Sequence, residues 1–110
     1  MKARILNKIW QVMFVSPSLL KGKKKHANSK SITEDARGDC DAPTTKNKTI
    51  RISNSLLPQE ELEVTIHEAL HAADWYKDEE WITPVADDIA RLLYNLGWRK
   101  VVRRPDERKQ

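Results

Sequence analysis

Apolar and polar positions alternate over two short stretches of the chain. Residues 9–15 (IWQVMFV) combine β-branched and aromatic side chains with partial alternation and stop at Ser16-Pro17-Ser18, which predicts a strand. Residues 48–52 (KTIRI) alternate cleanly and are closed by Ser53-Asn54-Ser55, which predicts a second strand. Between them Gly38 and Pro43 punctuate a segment that suits a short strand or a turn.

The period then changes from two to 3.6. Pro58 suits a first helical turn, Glu60, Glu61 and Glu63 place negative charge at the positive end of the helix dipole, and Leu62, Ile66, Ala69, Leu70 and Ala73 recur on one stripe. With His67 set at 0°, that stripe spans about 200–300°, whereas His71 falls near 40° and Glu68 near 100°. The histidines are therefore expected to face away from the buried stripe. A second helix is expected to begin at Thr83-Pro84, as N-cap and first helical residue, and to run to about Leu96. Val85, Ile89, Leu92 and Leu96 would form its buried face, Gly97 its C′ position, and Arg99 and Lys100 would suit its negative end. There is no internal repeat and no heptad run long enough for a coiled coil. Together these elements predict an α+β fold: a small N-terminal sheet packed on two long helices.

Composition bounds what such a fold can be. With 110 residues, 39% hydrophobic and 33% charged, the chain supports one domain with a small core and excludes a multidomain enzyme. Charge is segregated: residues 1–33 carry eight Lys/Arg and no Asp/Glu, residues 34–98 carry six against fourteen, and residues 99–110 carry six against two. The net +4 is thus a poor guide to function, because the basic residues avoid the segment with the strongest folding signals. Residues 1–98 are expected to form the domain, with 21–35 an exposed basic loop in which His26 is solvated, and 99–110 a basic tail. Cys40 is the single cysteine, expected to be a half-buried thiol, and it rules out an intramolecular disulfide. The opening MKARIL imitates the start of a signal peptide, but Asn7, Lys8 and Gln11 break the apolar run, and no stretch approaches the length of a membrane span. These features suggest a cytoplasmic protein.

The chemistry concentrates in His67-Glu68-Ala69-Leu70-His71. Two imidazoles four residues apart on a helix project one turn apart from one face, so both neutral rings can bind a single Zn²⁺. Glu68 lies on the flank of that face. With a third ligand and one position left for water, zinc lowers the pKa of that water and a carboxylate can take its proton and deliver it to a leaving amine. The pattern fixes only three positions, and its weight comes from lying on a helix predicted independently.

At these residues the chain resembles the zincin metallopeptidases. VTIHEALHAA (residues 64–73) is similar to their extended helix signature, in which the two histidines are zinc ligands and the glutamate is the general base; the resemblance assigns those roles to His67, His71 and Glu68. The strand at 9–15, the GDCDAP stretch, residues 49–52, HEALHAADW, DEEW and ADDIARLLYNLGW look like small metallopeptidases encoded by phages and prophages, related in outline to SprT-like and gluzincin-type domains; about three quarters of the chain is covered. Residues 21–30 look like an insertion relative to the shorter members. The resemblance implies a minimal zincin-like domain, a strand before the motif helix, and an edge strand able to receive an extended peptide. The expected activity is peptide-bond hydrolysis on a peptide or protein substrate.

The third ligand stays open. The downstream Gly and His or Asp of the metzincin type are replaced by Asp74 and Lys77, which favours a later glutamate. Glu80 is the first candidate, as the glutamate of the EE pair in the phage-type sequences, and Asp88 is the rival if the two helices pack antiparallel. Glu79 and Asp78 rank behind them, and Asp74 is best placed to orient an imidazole from outside the ligand set. Trp75, Trp81, Tyr94 and Trp98 read as packing residues. Two further functions compete: a non-enzymatic, zinc-containing phage structural or regulatory protein whose basic ends contact nucleic acid or an acidic partner, and a zincin that binds peptide without cleaving it.

Overall fold

In the computed structural model, which describes residues 1–20 and 37–101, the chain opens with a hairpin. β1 (Lys2–Ile5) pairs antiparallel with β2 (Lys8–Val15), and Ile5 sits opposite Lys8, so Leu6 and Asn7 alone form the loop. Both residues adopt left-handed backbone, with φ of 49° and 67°. Two consecutive left-handed residues make the type I′ turn, whose twist matches that of the strands. No glycine marks that turn, and its absence conceals β1 in the hydrophobic pattern.

β3 (Gly38–Cys40) and β4 (Thr49–Ser53) complete a four-stranded mixed sheet of order β1-β2-β4-β3. β2 and β4 run parallel, Val12 beside Ile50 and Phe14 beside Ile52, while β3 returns antiparallel along β4 with Gly38 opposite Ile52. One face of the sheet supplies Trp10, Cys40, Ile50 and Ile52 to a core that Val64 and Ala72 close from the helical side. Cys40 is buried rather than half-buried. On the other face Arg51 ties β4 to β3: its Nε lies 2.9 Å from Asp39 Oδ1, and its terminal nitrogen donates to Asp41, which also accepts the Thr49 backbone N–H at 2.9 Å.

α1 (Pro58–Ala73) begins at the proline, with Glu60 and Glu61 in its first turn, as the sequence predicts. Its buried face is not the expected one. Val64, Glu68, His71 and Ala72 are buried, whereas Leu62, Ile66, Ala69, Leu70 and Ala73 are each only partly covered. The reason is its place in the fold: α1 contacts β1, β3 and β4 as well as α2, so it is enclosed from more than one side and its motif face turns inward.

α2 (Glu79–Asn95) starts before the Thr83-Pro84 signal, and Pro84 lies inside it. The backbone N–H groups of Trp81 and Ile82 both donate to the Asp78 carbonyl, at 3.0 Å each, and Glu79 and Glu80 provide the acidic first turn. An interior proline forfeits one helical hydrogen bond; here the bond lost would have ended on the carbonyl of exposed Glu80. The buried residues of α2 are Ile82, Ala86 and Ala90, not Val85, Ile89, Leu92 and Leu96. The two alanines offer small side chains where α2 packs along α1. The helix ends as expected, with Gly97 at φ 103°, and Arg99 donates to the carbonyls of Tyr94 and Trp98 at 2.9 and 2.8 Å. Lys100 reaches Glu61 at 2.9 Å and lies 3.9 Å above the Phe14 ring.

The expected basic loop at 21–35, His26 within it, and all of the tail beyond residue 101 lie outside the described residues. Among the described residues no helix is long and apolar enough to cross a membrane.

Candidate metal centre

Helical spacing fixes the first two corners of the site. His67 and His71 stand one turn apart on α1, their ring centroids 4.9 Å from each other and their planes tilted by 57°. The third corner depends on how the chain turns back. α1 ends at Asp74, whose N–H donates to Leu70 O at 2.9 Å; the Lys77 N–H donates to Asp74 O at 3.0 Å, and α2 begins two residues later. This short connection places Glu79, the first residue of α2, against both histidines.

Glu79 Oε1 lies 3.0 Å from His67 Nε2, and Oε2 lies 3.1 Å from His71 Nε2. The three ligand atoms all fall within 4.8 Å of one another. Thr83 Oγ1 donates to Glu79 Oε1 at 3.4 Å from one turn further along α2, a long contact that favours the same rotamer. Burial works against charge on Glu79, but the two imidazoles outweigh it and hold the carboxyl well below the ordinary carboxylate range. Glu79 is an anion at neutral pH.

His71 is only 1% exposed, and its Nε2 is hydrogen-bonded to Glu79. His67 differs. Its Nε2 is buried and close to Oε1, yet it is not aligned with that oxygen and makes no hydrogen bond. A buried nitrogen at ion-pair distance from a carboxylate but not hydrogen-bonded to it is an arrangement that a shared cation would relieve. Two imidazole nitrogens and one carboxylate oxygen also form the donor set of a three-ligand zinc site with a position left for water. The residues present therefore fit the metal that the motif implies.

Glu68, the expected base, is on the same helix and 2% exposed. Its stem runs beneath β3, where a β-carbon built on Gly38 would fall 3.2 Å from Glu68 Cγ and 2.7 Å from Val64 Cγ1. Gly38 is thus a close-approach position next to the motif, and nothing in the sequence distinguished it from an ordinary turn glycine.

The structure does not bring Glu80, the first candidate for the third ligand, to the histidines. It is exposed, about 100° round α2 from Glu79, because the helix starts at residue 79 and, of the two adjacent glutamates, only Glu79 is directed at α1. Asp88, two and a half turns further on, is exposed as well, as are Asp74 and Asp78 at the two helix caps. Among the described residues His67, His71 and Glu79 are the one group of three or more such side chains able to share a cation. The acidic run Asp78-Glu79-Glu80 ahead of Trp81-Ile82 is itself a helix-start signal, and it would have favoured Glu79 had the competing Thr83-Pro84 not suggested a later start. No family model, no curated protein and no solved structure matches this chain.

Proposed function

We propose that this chain is a zinc-dependent metallopeptidase whose ligands are His67, His71 and Glu79 and whose general base is Glu68. One observation carries it: two imidazoles from α1 and a carboxylate from α2 converge within 4.8 Å, on the helix that also holds a buried glutamate. The minimal zincin-like character of the fold belongs to the same proposal, supported by a strand that precedes the motif helix and an edge strand beside it.

When bound, zinc supplies Lewis-acid chemistry, polarising a scissile carbonyl and acidifying a water. The chain's own contributions are distinct from that. His67 and His71 offer Nε2 donors held at fixed separation by one helical turn, and Glu79 brings a negative charge that lowers the cost of gathering a dication. Glu68 takes the proton of the attacking water and passes it to the departing amine nitrogen. Ser53 N–H donates to Arg37 O and Asp41 N–H to Thr49 O, so by antiparallel alternation the N–H and C=O of Gly38 point away from β4, beside Glu68, although all three residues of β3 are buried. A peptide or protein substrate belongs to the same proposal.

Elemental analysis tests the metal: wild type should carry one zinc per chain and His67→Ala should not, and equal metal content in both removes the zinc assignment. Glu68→Gln tests the base. It should retain zinc and fold while losing turnover of a peptide library; turnover that survives it refutes the role given to Glu68.

A further inference from the structure

One end of the sheet concentrates positive charge. Lys2 and Arg4 on β1, Lys8 on β2, Lys48 just before β4 and Lys46 in the turn that leads to it gather there, and residues 1–20 and 42–50 contain no Asp or Glu. The register shows how closely they lie. Arg4 is opposite Ile9 and Lys2 is opposite Gln11, which lies beside Thr49, and the Gln11 N–H donates to Lys48 O at 3.0 Å. The backbones of Lys2, Arg4, Lys8 and Lys48 therefore fall within about 10 Å along the strands and about 10 Å across them. Elsewhere Arg37, Arg51, Arg91 and Lys100 are each paired with a carboxylate, whereas none of these lysines, nor Arg4, is paired with a described one. Asp41, the acid nearest in sequence to Lys46 and Lys48, is engaged by Arg51 and the Thr49 N–H. Like charges this close repel one another, and an anionic partner would relieve them.

The distribution of the cations over the two faces of the hairpin identifies that partner. Side chains alternate along a strand, and residues opposite each other share a face. Lys8 is two residues from Trp10, and Lys48 Nζ lies 5.7 Å from the centroid of the Trp10 ring, so both belong to the face on which Trp10 sits. Lys2 and Arg4 belong to the other. A planar anionic surface can meet only one of these pairs, whereas a groove with phosphates on both walls meets both. The free end of the hairpin has the size such a groove requires. Leu6 and Asn7 form its exposed tip, Ile9 behind them is 54% exposed, and a two-stranded ribbon fits the major groove of B-form DNA, about 12 Å wide. The major groove of A-form RNA is too narrow to admit side chains. We propose that the hairpin of β1 and β2 binds double-stranded DNA, its tip in the major groove and its cations on the phosphates of the two walls. Contacts of this kind hold the protein on the duplex without reading its sequence. The inference is independent of the function assigned to the metal centre.

Fluorescence anisotropy of a labelled duplex of about 20 base pairs, titrated with the full chain over a range of salt, tests the interface. Log affinity should fall linearly with log salt. Lys2→Gln with Arg4→Gln, and separately Lys8→Gln with Lys48→Gln, should each reduce that slope by about 2 and lower affinity at about 50 mM salt by about a hundredfold, because each phosphate contact contributes about 0.9 to the slope. Helix content should not change, and the exposed pair Lys2 and Arg4 tests the proposal even if loss of Lys48 unsettles Trp10. A single strand of the same sequence has no groove and should bind at least about tenfold less tightly than the duplex. Absence of duplex binding at low salt overturns the proposal. So does either pair variant that keeps the affinity and slope of wild type, or a single strand bound as tightly as the duplex. Vesicles of phosphatidylcholine with anionic lipid are the last probe: if they are bound in preference to the duplex and only one pair of cations matters, the patch serves a membrane and the proposal fails.

Discussion

Gly38→Ala examines the contact between β3 and the motif helix. The added β-carbon would lie 2.7 Å from Val64 Cγ1, 3.1 Å from the Arg51 carbonyl oxygen and 3.2 Å from Glu68 Cγ. None of the three yields easily: Val64 is part of the core, Arg51 O belongs to the backbone of β4, and Glu68 is buried. Carbon atoms settle at about 3.5–4.0 Å, so β3 and α1 must separate by about 1 Å. Overpacking of this kind costs about 1–3 kcal/mol. At about 4–8 °C per kcal/mol for a domain this size, the Tm should fall by about 4–24 °C in a circular-dichroism melt. Val64→Ala removes the nearest obstacle at a cost of about 1–3 kcal/mol by itself, and the double variant should be more stable than the two costs predict by about 1 kcal/mol. The proposed peptidase activity should follow a different course. The contact with Glu68 persists in the double variant, so turnover should stay low while stability recovers. A Gly38→Ala melt within about 1 °C of wild type would refute the packing argument. Turnover that returns together with stability would show that Gly38 supports the fold and not the placement of Glu68.

Metal titration should separate the two adjacent glutamates, with Glu79→Gln losing at least about tenfold in zinc affinity and Glu80→Gln unchanged; the reverse result would restore Glu80 as the ligand. In the metal-free protein the folded pKa of Glu79 lies below its ordinary 4.5. Its stabilising contribution is therefore present above that pH and is lost as pH falls below it, and acid unfolding of Glu79→Gln should lack this component. Arg51→Ala removes the cation that serves Asp39 and Asp41 and should cost about 2–4 kcal/mol by urea unfolding, with Arg51→Lys recovering only part because one ammonium cannot reproduce the guanidinium fork. Ala86→Leu should cost about 1–3 kcal/mol by inserting bulk between the helices, measured in the same way.

The strands at 9–15 and 48–52, the start of α1 and the spacing of the two histidines were legible because each follows from local periodicity or a local cap. β1 was not, since its turn uses Leu6 and Asn7 in left-handed backbone without a glycine. The faces of both helices were misassigned for a shared reason. A hydrophobic stripe identifies the buried side only when a helix has one neighbour, and α1 has the sheet as well as α2. On α2 the bulkier stripe lost to Ile82, Ala86 and Ala90, because small residues permit a closer approach than branched ones. The glutamate that faces the histidines was obscured by one competing signal: Thr83-Pro84 resembles a helix start, and the helix starts at residue 79 instead.

Glu79 reaches its place only while α2 stays docked, and the donor set is therefore divided between two helices that could separate. Whatever ion the three side chains hold would act as a clasp, and its binding free energy would be added to the docking of α2 on α1. The converse also holds. A substitution at Ala90, about three turns from Glu79 and touching no ligand, would register in a titration as weakened metal affinity, and chelation would register in a melt as a loosened helix. In so small a chain the centre and the hinge between helices are the same object, and neither can be perturbed without altering the other.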